Sequence, residues 1–137
     1  MERKAHKPHF HVTAAIIRSG GKVLITRRPA GTHMGGYWEF PGGKQEKGET
    51  LSGCLRRELR EELGVGIEKA VSLFAIRHEY ADRSITLHVF ECTGIQAPPR
   101  ALEAQEIRWV ASEALRKYSF PPPDRRIIRF LEGGAGA

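Results

Sequence analysis

One short stretch of the chain decides how the rest of it is interpreted. It spans residues 43–65 and reads GKQEKGETLSGCLRRELREELGV. Residues 50–63 predict a helix, because leucines recur at every fourth position and Gly64 follows as a C-terminal cap. We expect these leucines to form an apolar stripe that the helix buries against a sheet. The stripe consists of Leu51, Leu55, Leu59 and Leu63.

Three carboxylates lie beside that stripe on the predicted helix. At about 100° per residue, Glu58, Glu61 and Glu62 fall within a sector of roughly 100°. Like charges at this spacing repel each other, whereas hard divalent cations such as Mg²⁺ prefer clustered carboxylate oxygens. The alternative is a solvated face on which the glutamates pair with neighbouring arginines. The glycines before the helix favour a ligand site, because they let the backbone approach a ligand closely.

The composition is that of an ordinary globular chain that fits one domain. Of the 137 residues, 40% are hydrophobic and 28% are charged, as is usual for such proteins. The apolar runs are too short to span a membrane, and none follows the first residues as in a signal peptide, so we expect a cytoplasmic protein. Cys54 and Cys92 form no metal-type or redox-type pair, and we expect both to be buried as small apolar residues.

The net charge of +6 favours anionic partners in a general way. The basic residues are scattered, and no basic stripe interleaved with aromatic residues is present. Nucleic acid is therefore not the expected partner, and a small phosphorylated ligand explains the charge equally well.

The periodicity of the remaining chain predicts a mixed α+β sheet with helices packed against it. Strands are expected at residues 9–18, 23–26, 37–40, 71–80, 84–93 and 106–110. A short helix capped by Ser112 is expected to run to residue 117. The prolines at 121–123 should break the chain before a last amphipathic helix at 124–131, and residues 133–137 should form a frayed tail.

The stretch at 43–65 resembles the Nudix box, Gly-x5-Glu-x7-Arg-Glu-U-x-Glu-Glu-x-Gly-U, in which U is a bulky aliphatic residue. The match holds at every defined position, namely Gly43, Glu49, Arg57, Glu58, Leu59, Glu61, Glu62, Gly64 and Val65. The resemblance implies a single Nudix domain over residues 1–137, folded as an α/β/α sandwich. It also implies an enzyme that hydrolyses phosphoric anhydride bonds.

The resemblance further assigns roles to residues of the box. The implied ligands of Mg²⁺, or of Mn²⁺ in its place, are the carboxylates of Glu58, Glu61 and Glu62 and the backbone carbonyl of Gly42. Glu49 and Arg57 would brace the preceding loop against the helix. Phosphoryl chemistry needs charge neutralisation and positioning of the attacking water, which such a site supplies. The proton acceptor stays open between a box glutamate and one from a distant loop.

Segments outside the box are similar to the MutT-like subgroup of this family. They include ITRR at 25–28, EFPGGK at 39–44, DR at 82–83 and FPP at 120–122. The subgroup hydrolyses oxidised guanine nucleotides such as 8-oxo-dGTP to the monophosphate and pyrophosphate. The implied substrate-binding residues are Arg28, His33, Glu39, Phe40, Gly42, Lys44 and Asp124. Arg28 would contact the nucleotide, His33 would line the site and Phe40 would pack on the base, although a solvated cation, a loop residue and a core residue are the alternatives.

Two positions depart from that subgroup. Asp124 stands where the subgroup has a base-reading asparagine; an ionised aspartate only accepts hydrogen bonds, which suits an amino group such as that of cytosine. Asp124 could instead cap the last helix. Arg108 replaces a late metal-binding glutamate, and Glu103 and Glu106 are the nearest substitutes. We favour Glu106, because strand alternation places it on the same face as Arg108.

The sequence therefore predicts a nucleoside triphosphate pyrophosphohydrolase that acts as a monomer or a homodimer. Oxidised guanine nucleotides are narrowly preferred over CTP and modified dCTP, because the two departures resemble the related subgroup that hydrolyses cytidine nucleotides. The alternative from another class is a non-catalytic Nudix-like module that binds a nucleotide or nucleic acid. Such modules usually lose box carboxylates, and this chain keeps them all.

Overall fold

The computed structural model describes residues 7–104 and 106–133, which form six strands and three helical segments. The strands are β1 (His9–Ser19), β2 (Lys22–Arg27), β3 (Trp38–Glu39), β4 (Ile67–Glu79), β5 (Ser84–Ile95) and β6 (Glu106–Ala111). The helical segments are α1 (Leu51–Leu63), a 3-10 helix (Ser112–Lys117) and α2 (Pro122–Leu131). This order of elements follows the sequence-based expectation.

The strands form one mixed sheet in the order β3-β2-β1-β5-β4, with β6 also paired to β2. The central pair, β1 and β5, is parallel and runs in register from His9 beside Ser84 to Ile17 beside Cys92. The other pairs are antiparallel. The prediction of a mixed sheet with packed helices is confirmed.

Both faces of the sheet are buried, because alternate residues of β1 enter two different cores. Ala14 and Ile16 belong to one core, and Ala15 and Ile17 belong to the other. The second core contains the α1 side chains Leu55, Leu59 and Leu63, and the first contains the α2 side chains Ile127 and Ile128. Each fully buried leucine contributes about 1.5–3 kcal/mol relative to an exposed one. Packing against the sheet, rather than its charges, therefore holds α1 in place.

Both ends of α1 are capped: Gly64 has the C-terminal role that the sequence predicts, and Thr50, predicted as the first helical residue, is the N-terminal cap. The Thr50 hydroxyl accepts a hydrogen bond from the Gly53 N–H at 3.0 Å. Gly64 adopts a left-handed conformation with φ of 69°, and its N–H reaches back to the Arg60 carbonyl. Cys54 of α1 is buried, as is Cys92 of β5, which confirms the prediction for both thiols.

Several predicted boundaries were wrong. The strand β4 begins at Ile67, four residues before the expected start, and β5 continues to Ile95. The 3-10 helix has Ala111 as its cap residue, and no side chain caps it, so Ser112 does not have the expected role. The helix α2 begins at Pro122, because proline needs no N–H partner in the first turn of a helix. Residues 134–137 of the expected tail lie outside the described residues.

No helix in the described part of the chain is long and apolar enough to cross a membrane.

Three histidines meet on the β1–β5 pair. His11 Nδ1 lies 2.9 Å from His88 Nε2, and both ring nitrogens of His9 reach the hydroxyls of Ser84 and Thr86. Burial and the neighbouring histidines lower the pKa of His88. Burial, Arg77 and His11 lower the pKa of His9 against the opposing effect of Glu79. The folded chain therefore binds protons at this site more weakly than the unfolded chain does.

We predict that acid destabilises the fold through this cluster. Above the ordinary histidine pKa both states are neutral, so stability is lost only as the pH falls below about 6.5. Between pH 7.5 and 5.5 the midpoint of thermal unfolding should fall more in the wild type than in His88→Asn, by roughly 2 °C or more. His78→Asn on β4 is the control. Equal losses in the wild type and His88→Asn would refute the prediction.

Candidate active site

The segment that precedes the box is docked on β1. The Ala15 N–H donates to the Pro41 carbonyl at 2.7 Å, and the Thr13 N–H donates to the Gly43 carbonyl at 2.8 Å. A bridge between Val12 and Lys44 continues the pairing. These bonds fix the backbone of residues 41–44 in the plane of the sheet, beside α1.

The two glycines at 42 and 43 allow that docking. Gly42 has φ of 149°, and a Cβ atom there would overlap the Thr13 carbonyl oxygen. A Cβ atom on Gly43 would overlap the carboxylate of Glu58. The close approach expected of these glycines is therefore an approach to β1 on one side and to a box carboxylate on the other.

Arg57 joins the loop to the helix. Its Nε and Nη2 atoms lie 2.5 Å and 3.0 Å from the two carboxylate oxygens of Glu49, and Nη2 also donates to the Lys44 carbonyl at 3.1 Å. The hydrogen bonds from Arg57 and from the Glu46 N–H lower the pKa of Glu49 to about 2. This two-pronged ion pair has the geometry of a brace, which is the role that the resemblance implied for both residues.

Arg57 also contacts two of the three box glutamates. Its Nη1 atom lies 2.8 Å from Glu58 and 3.1 Å from Glu61. Arg56, in contrast, donates to the Ile67 carbonyl at 2.7 Å and holds α1 to the start of β4. The face is therefore not a row of solvated arginine–glutamate pairs, because a single half-buried arginine, Arg57, contacts both Glu58 and Glu61.

Glu62 lies on the buried side of the same turn. Its side chain is 8% exposed, and burial together with the charges of Glu39 and Glu58 raises its pKa to about 8. The Thr26 hydroxyl and the Gly42 N–H act in the opposite direction and lower this pKa. Burial also raises the pKa of Glu39 and of Glu58. These carboxylates repel one another in a place where water screens them poorly.

The donor set fits a hard divalent cation. Such an ion prefers carboxylate and carbonyl oxygens, and its charge would offset the burial and the repulsion that together raise the pKa of Glu62. Within residues 7–104 and 106–133, no three acidic, histidine or cysteine side chains already converge as a finished metal site. Arg57 holds Glu58 and Glu61, whereas Glu62 faces β2. Binding a cation would therefore require the Glu58 and Glu61 side chains to turn away from Arg57.

A cavity of about 230 Å³ adjoins this group. Ligand pockets usually measure roughly 300–1,000 Å³, so this one suits a single base rather than a whole nucleotide. It is lined by all seven predicted substrate-binding residues, Arg28, His33, Glu39, Phe40, Gly42, Lys44 and Asp124. Gly43, whose backbone lies against Glu58, lines it too. The cavity and the carboxylates therefore meet at the Gly42–Gly43 backbone.

Arg28 and His33 are both held in position at the cavity. Arg28 donates to Glu39 at 3.0 Å and to the His33 carbonyl at 2.7 Å, so it is not a freely solvated loop cation. The His33 ring packs edge-on against Tyr80, with 5.0 Å between the ring centroids. Burial and the charges of Arg83 and Arg28 lower the pKa of His33. Two positions that could have been ordinary loop residues thus belong to the cavity wall.

Phe40 and Asp124 connect the cavity to the core. The Phe40 ring is 2% exposed and stacks on Phe120, with 5.5 Å between the centroids, so it lines the cavity from within the core. The Phe40 N–H donates to Asp124 Oδ2 at 3.3 Å. Asp124 lies inside the first turn of α2, where Pro121 is the cap residue, and so it does not cap the helix. Burial and the charge of Glu39 raise its pKa to about 8.

The structure does not bring Glu106 to the box. The β6 side chains Ile107 and Trp109 pack on the α1 side of the sheet, and alternation therefore directs Glu106 and Arg108 to the opposite face. There Glu106 pairs with Arg108 at 2.6 Å. Glu106 and Arg108 therefore share a face, as expected, and that face is the one turned away from the box helix. Glu103 is nearer to the box, because its charge contributes to the raised pKa of Glu58.

Phe10, Tyr80 and Arg83 are among the cavity-lining residues to which the sequence analysis assigned no role. Tyr80 and Arg83 flank the turn between β4 and β5, and their segment already resembled the MutT-like subgroup. Phe10 carried no such signal. It reaches the cavity because β1 pairs with the distant β5, and Lys44 Nζ lies 4.0 Å from the centre of its ring.

Comparison with known proteins agrees with this geometry. The NUDIX domain family matches residues 12–130. The 8-oxo-dGTP diphosphatase of Proteus vulgaris is 43% identical over 64% of this chain and 79% of its own length. The CTP pyrophosphohydrolase of Escherichia coli K12 is 40% identical over 84% of this chain and 85% of its own length. The solution structure of the E. coli ORF135 protein superposes with a TM-score of 0.81 at 33% identity and covers 96% of both chains.

The chain belongs to the NUDIX domain family. The predictions of a Nudix fold and of a pyrophosphohydrolase enzyme are confirmed. Nudix hydrolases generally use divalent metal ions, and the carboxylates described above are the groups in this chain that suit one.

We predict that the two glycines respond differently to alanine. Gly42→Ala places a methyl group against rigid β1 backbone and should lower the midpoint of thermal unfolding by several degrees. Gly43→Ala meets only the movable end of Glu58, so this variant should fold and lose catalytic activity by displacing that carboxylate. Thermal unfolding and pyrophosphate release, both compared with Gly53→Ala, check the two expectations. Equal destabilisation by both substitutions would contradict them.

Proposed function

We propose that the chain is a Mg²⁺-dependent nucleoside triphosphate pyrophosphohydrolase, with Mn²⁺ able to replace Mg²⁺, that releases a nucleoside monophosphate and pyrophosphate. It would act in the cytoplasm as a monomer or a homodimer. One observation carries the proposal: a base-sized cavity and a group of carboxylates meet at the Gly42–Gly43 backbone. A nucleotide with its base in the cavity would extend its phosphates towards the helix α1.

Some residues of the chain would bind the cation or the phosphates, and others would position those residues. Glu58, Glu61, Glu62 and the Gly42 carbonyl would hold the cation, which when bound neutralises phosphate charge and lowers the pKa of a coordinated water. Arg57 keeps the loop and the helix together, so the carboxylates stay at a fixed distance from the cavity. Lys44 stands at the cavity beside the box and supplies positive charge for the phosphates.

Oxidised guanine nucleotides, with 8-oxo-dGTP as the example, are the proposed substrates. The support comes from Asp124, which is buried and whose pKa is raised to about 8. At neutral pH a carboxyl group with that pKa is mostly protonated, and a protonated carboxyl both donates and accepts a hydrogen bond. Asp124 can therefore present the same pair of functions as the asparagine of the MutT-like subgroup. The Proteus relative is named for this substrate.

A cytidine nucleotide is the second candidate. The E. coli relative of similar length is named a CTP pyrophosphohydrolase, and an ionised Asp124 would accept a hydrogen bond from the cytosine amino group. A non-catalytic nucleotide-binding or nucleic-acid-binding module is less well supported, because the box carboxylates are all present and one half-buried arginine holds two of them, Glu58 and Glu61.

A panel assay tests the activity and the substrate together. Pyrophosphate release from 8-oxo-dGTP, dGTP, dCTP, 5-methyl-dCTP, CTP and ADP-ribose should be Mg²⁺-dependent and fastest for 8-oxo-dGTP. Glu62→Gln should lose turnover by about 100-fold or more while it still binds nucleotide, because it removes a charged oxygen from the cation site. Glu113→Gln, remote on the 3-10 helix, is the matched control. No pyrophosphate release from any nucleotide would end the enzyme proposal.

We also predict a pH-dependent substrate preference. The pKa of Asp124 is raised, so its carboxyl is neutral below about pH 8 and ionises as the pH rises through that value. The ratio of kcat/KM for 8-oxo-dGTP to that for CTP should therefore fall between pH 7 and pH 9 in the wild type. In Asp124→Asn, which has no proton to lose there, the ratio should stay nearly constant. The same slope in both proteins would show that Asp124 does not read the base.

A further inference from the structure

Thr26 is a polar residue in an apolar row. Alternate residues of β2 face α1, and one of these, Leu24, packs among the α1 leucines. Thr26 comes next on that face and is 0% exposed. Valine would fill nearly the same space without burying a hydroxyl, so packing alone does not account for threonine here.

The Thr26 hydroxyl has an unmet hydrogen-bonding capacity. It makes no hydrogen bond of ordinary length and angle among the described residues, although it is completely buried. It nevertheless lies close enough to the carboxylate of Glu62 to lower the pKa of that group. A buried hydroxyl without a hydrogen-bond partner destabilises a fold. We therefore expect the Thr26 hydroxyl to have a hydrogen-bond partner in the active protein.

The backbone around Thr26 is held on two sides. Thr26 pairs with Glu39 of β3 and with Ile107 of β6. A hydroxyl on so fixed a strand is a stable reference point for a flexible side chain on the facing helix. Glu62 is such a side chain, because glutamate has three rotatable bonds and its carboxylate faces β2 across the packed seam.

We propose that Thr26 is a positioning residue that donates a hydrogen bond to the Glu62 carboxylate and orients that carboxylate to bind the catalytic cation. The inference rests on the proposed function, since it concerns the same cation site. The hydroxyl would hold one oxygen of Glu62 and leave the other for the cation. Groups that hydrogen-bond metal ligands in this way set the orientation of those ligands and the affinity for the ion.

The test is Mn²⁺ binding to the free protein, measured by titration with electron paramagnetic resonance. Thr26→Val should raise the Kd for Mn²⁺ by about 10–100-fold, and Thr26→Ser, which keeps the hydroxyl, should stay within about threefold of the wild type. Thermal unfolding should show Thr26→Val to be at least as stable as the wild type. Ile25→Val, on the same strand but facing the other core, is the matched control.

Each outcome separates this inference from the proposed function. If the wild type binds Mn²⁺ and Thr26→Val has the same Kd, Thr26 only packs, and the inference alone is overturned. If the wild type neither binds Mn²⁺ nor releases pyrophosphate, the proposed function and the inference are overturned together. Should Thr26→Val fail to fold, Thr26→Ala replaces it, and a Kd unchanged from that of Thr26→Ser overturns the inference.

Discussion

The repulsion among carboxylates at the seam between α1 and the sheet constrains the rest of the structure. Glu62 is almost fully buried, and this burial, together with the charges of Glu39 and Glu58, raises its pKa to about 8. Like charges on one face would destabilise an isolated helix. The arrangement persists because the leucines of α1 are buried on the sheet and because Arg57 attracts Glu49, Glu58 and Glu61 together. Hydrophobic packing therefore holds negative charges closer together than they would stay by themselves.

The backbone docked on β1 links the cavity to the carboxylates. The backbone at 41–44 is docked on β1, and glycine at 42 and 43 lets it pass between the Thr13 carbonyl and the Glu58 carboxylate. Glu39, two residues before this segment, affects both the carboxylates and the cavity. Its charge adds to the burial that raises the pKa of Glu62 and of Asp124. Charge bound at the helix should therefore be felt at the position proposed to read the base.

Local signals predicted the helix, its C-terminal cap and the box, because these depend on residues within a few turns of one another. The mixed sheet also followed from local alternation. Phe10 could not be placed, because its position at the cavity depends on the parallel pairing of β1 with β5. The place of Glu106 could not be predicted for a similar reason: alternation shows that it shares a face with Arg108, but only the packing of Ile107 shows which face that is.

Asp124 shows a different limit of prediction from the sequence. Residue type alone suggested a group that only accepts hydrogen bonds, but burial raises the pKa of the carboxyl and adds a donor at neutral pH. Protonation depends on the surroundings of a side chain, which the sequence does not display. The proposed substrate preference is therefore one that depends on pH.

The central claim is that the carboxylates at the α1 seam form a divalent cation site. Its most direct measurement is an anomalous difference map from crystals of the wild-type protein soaked in Mn²⁺ with a non-hydrolysable nucleotide. We expect the strongest peak among the carboxylates of Glu58, Glu61 and Glu62, beside the Gly42 carbonyl, with Glu58 turned away from Arg57. A map with Mn²⁺ bound elsewhere, or with no peak at this seam, would contradict the claim.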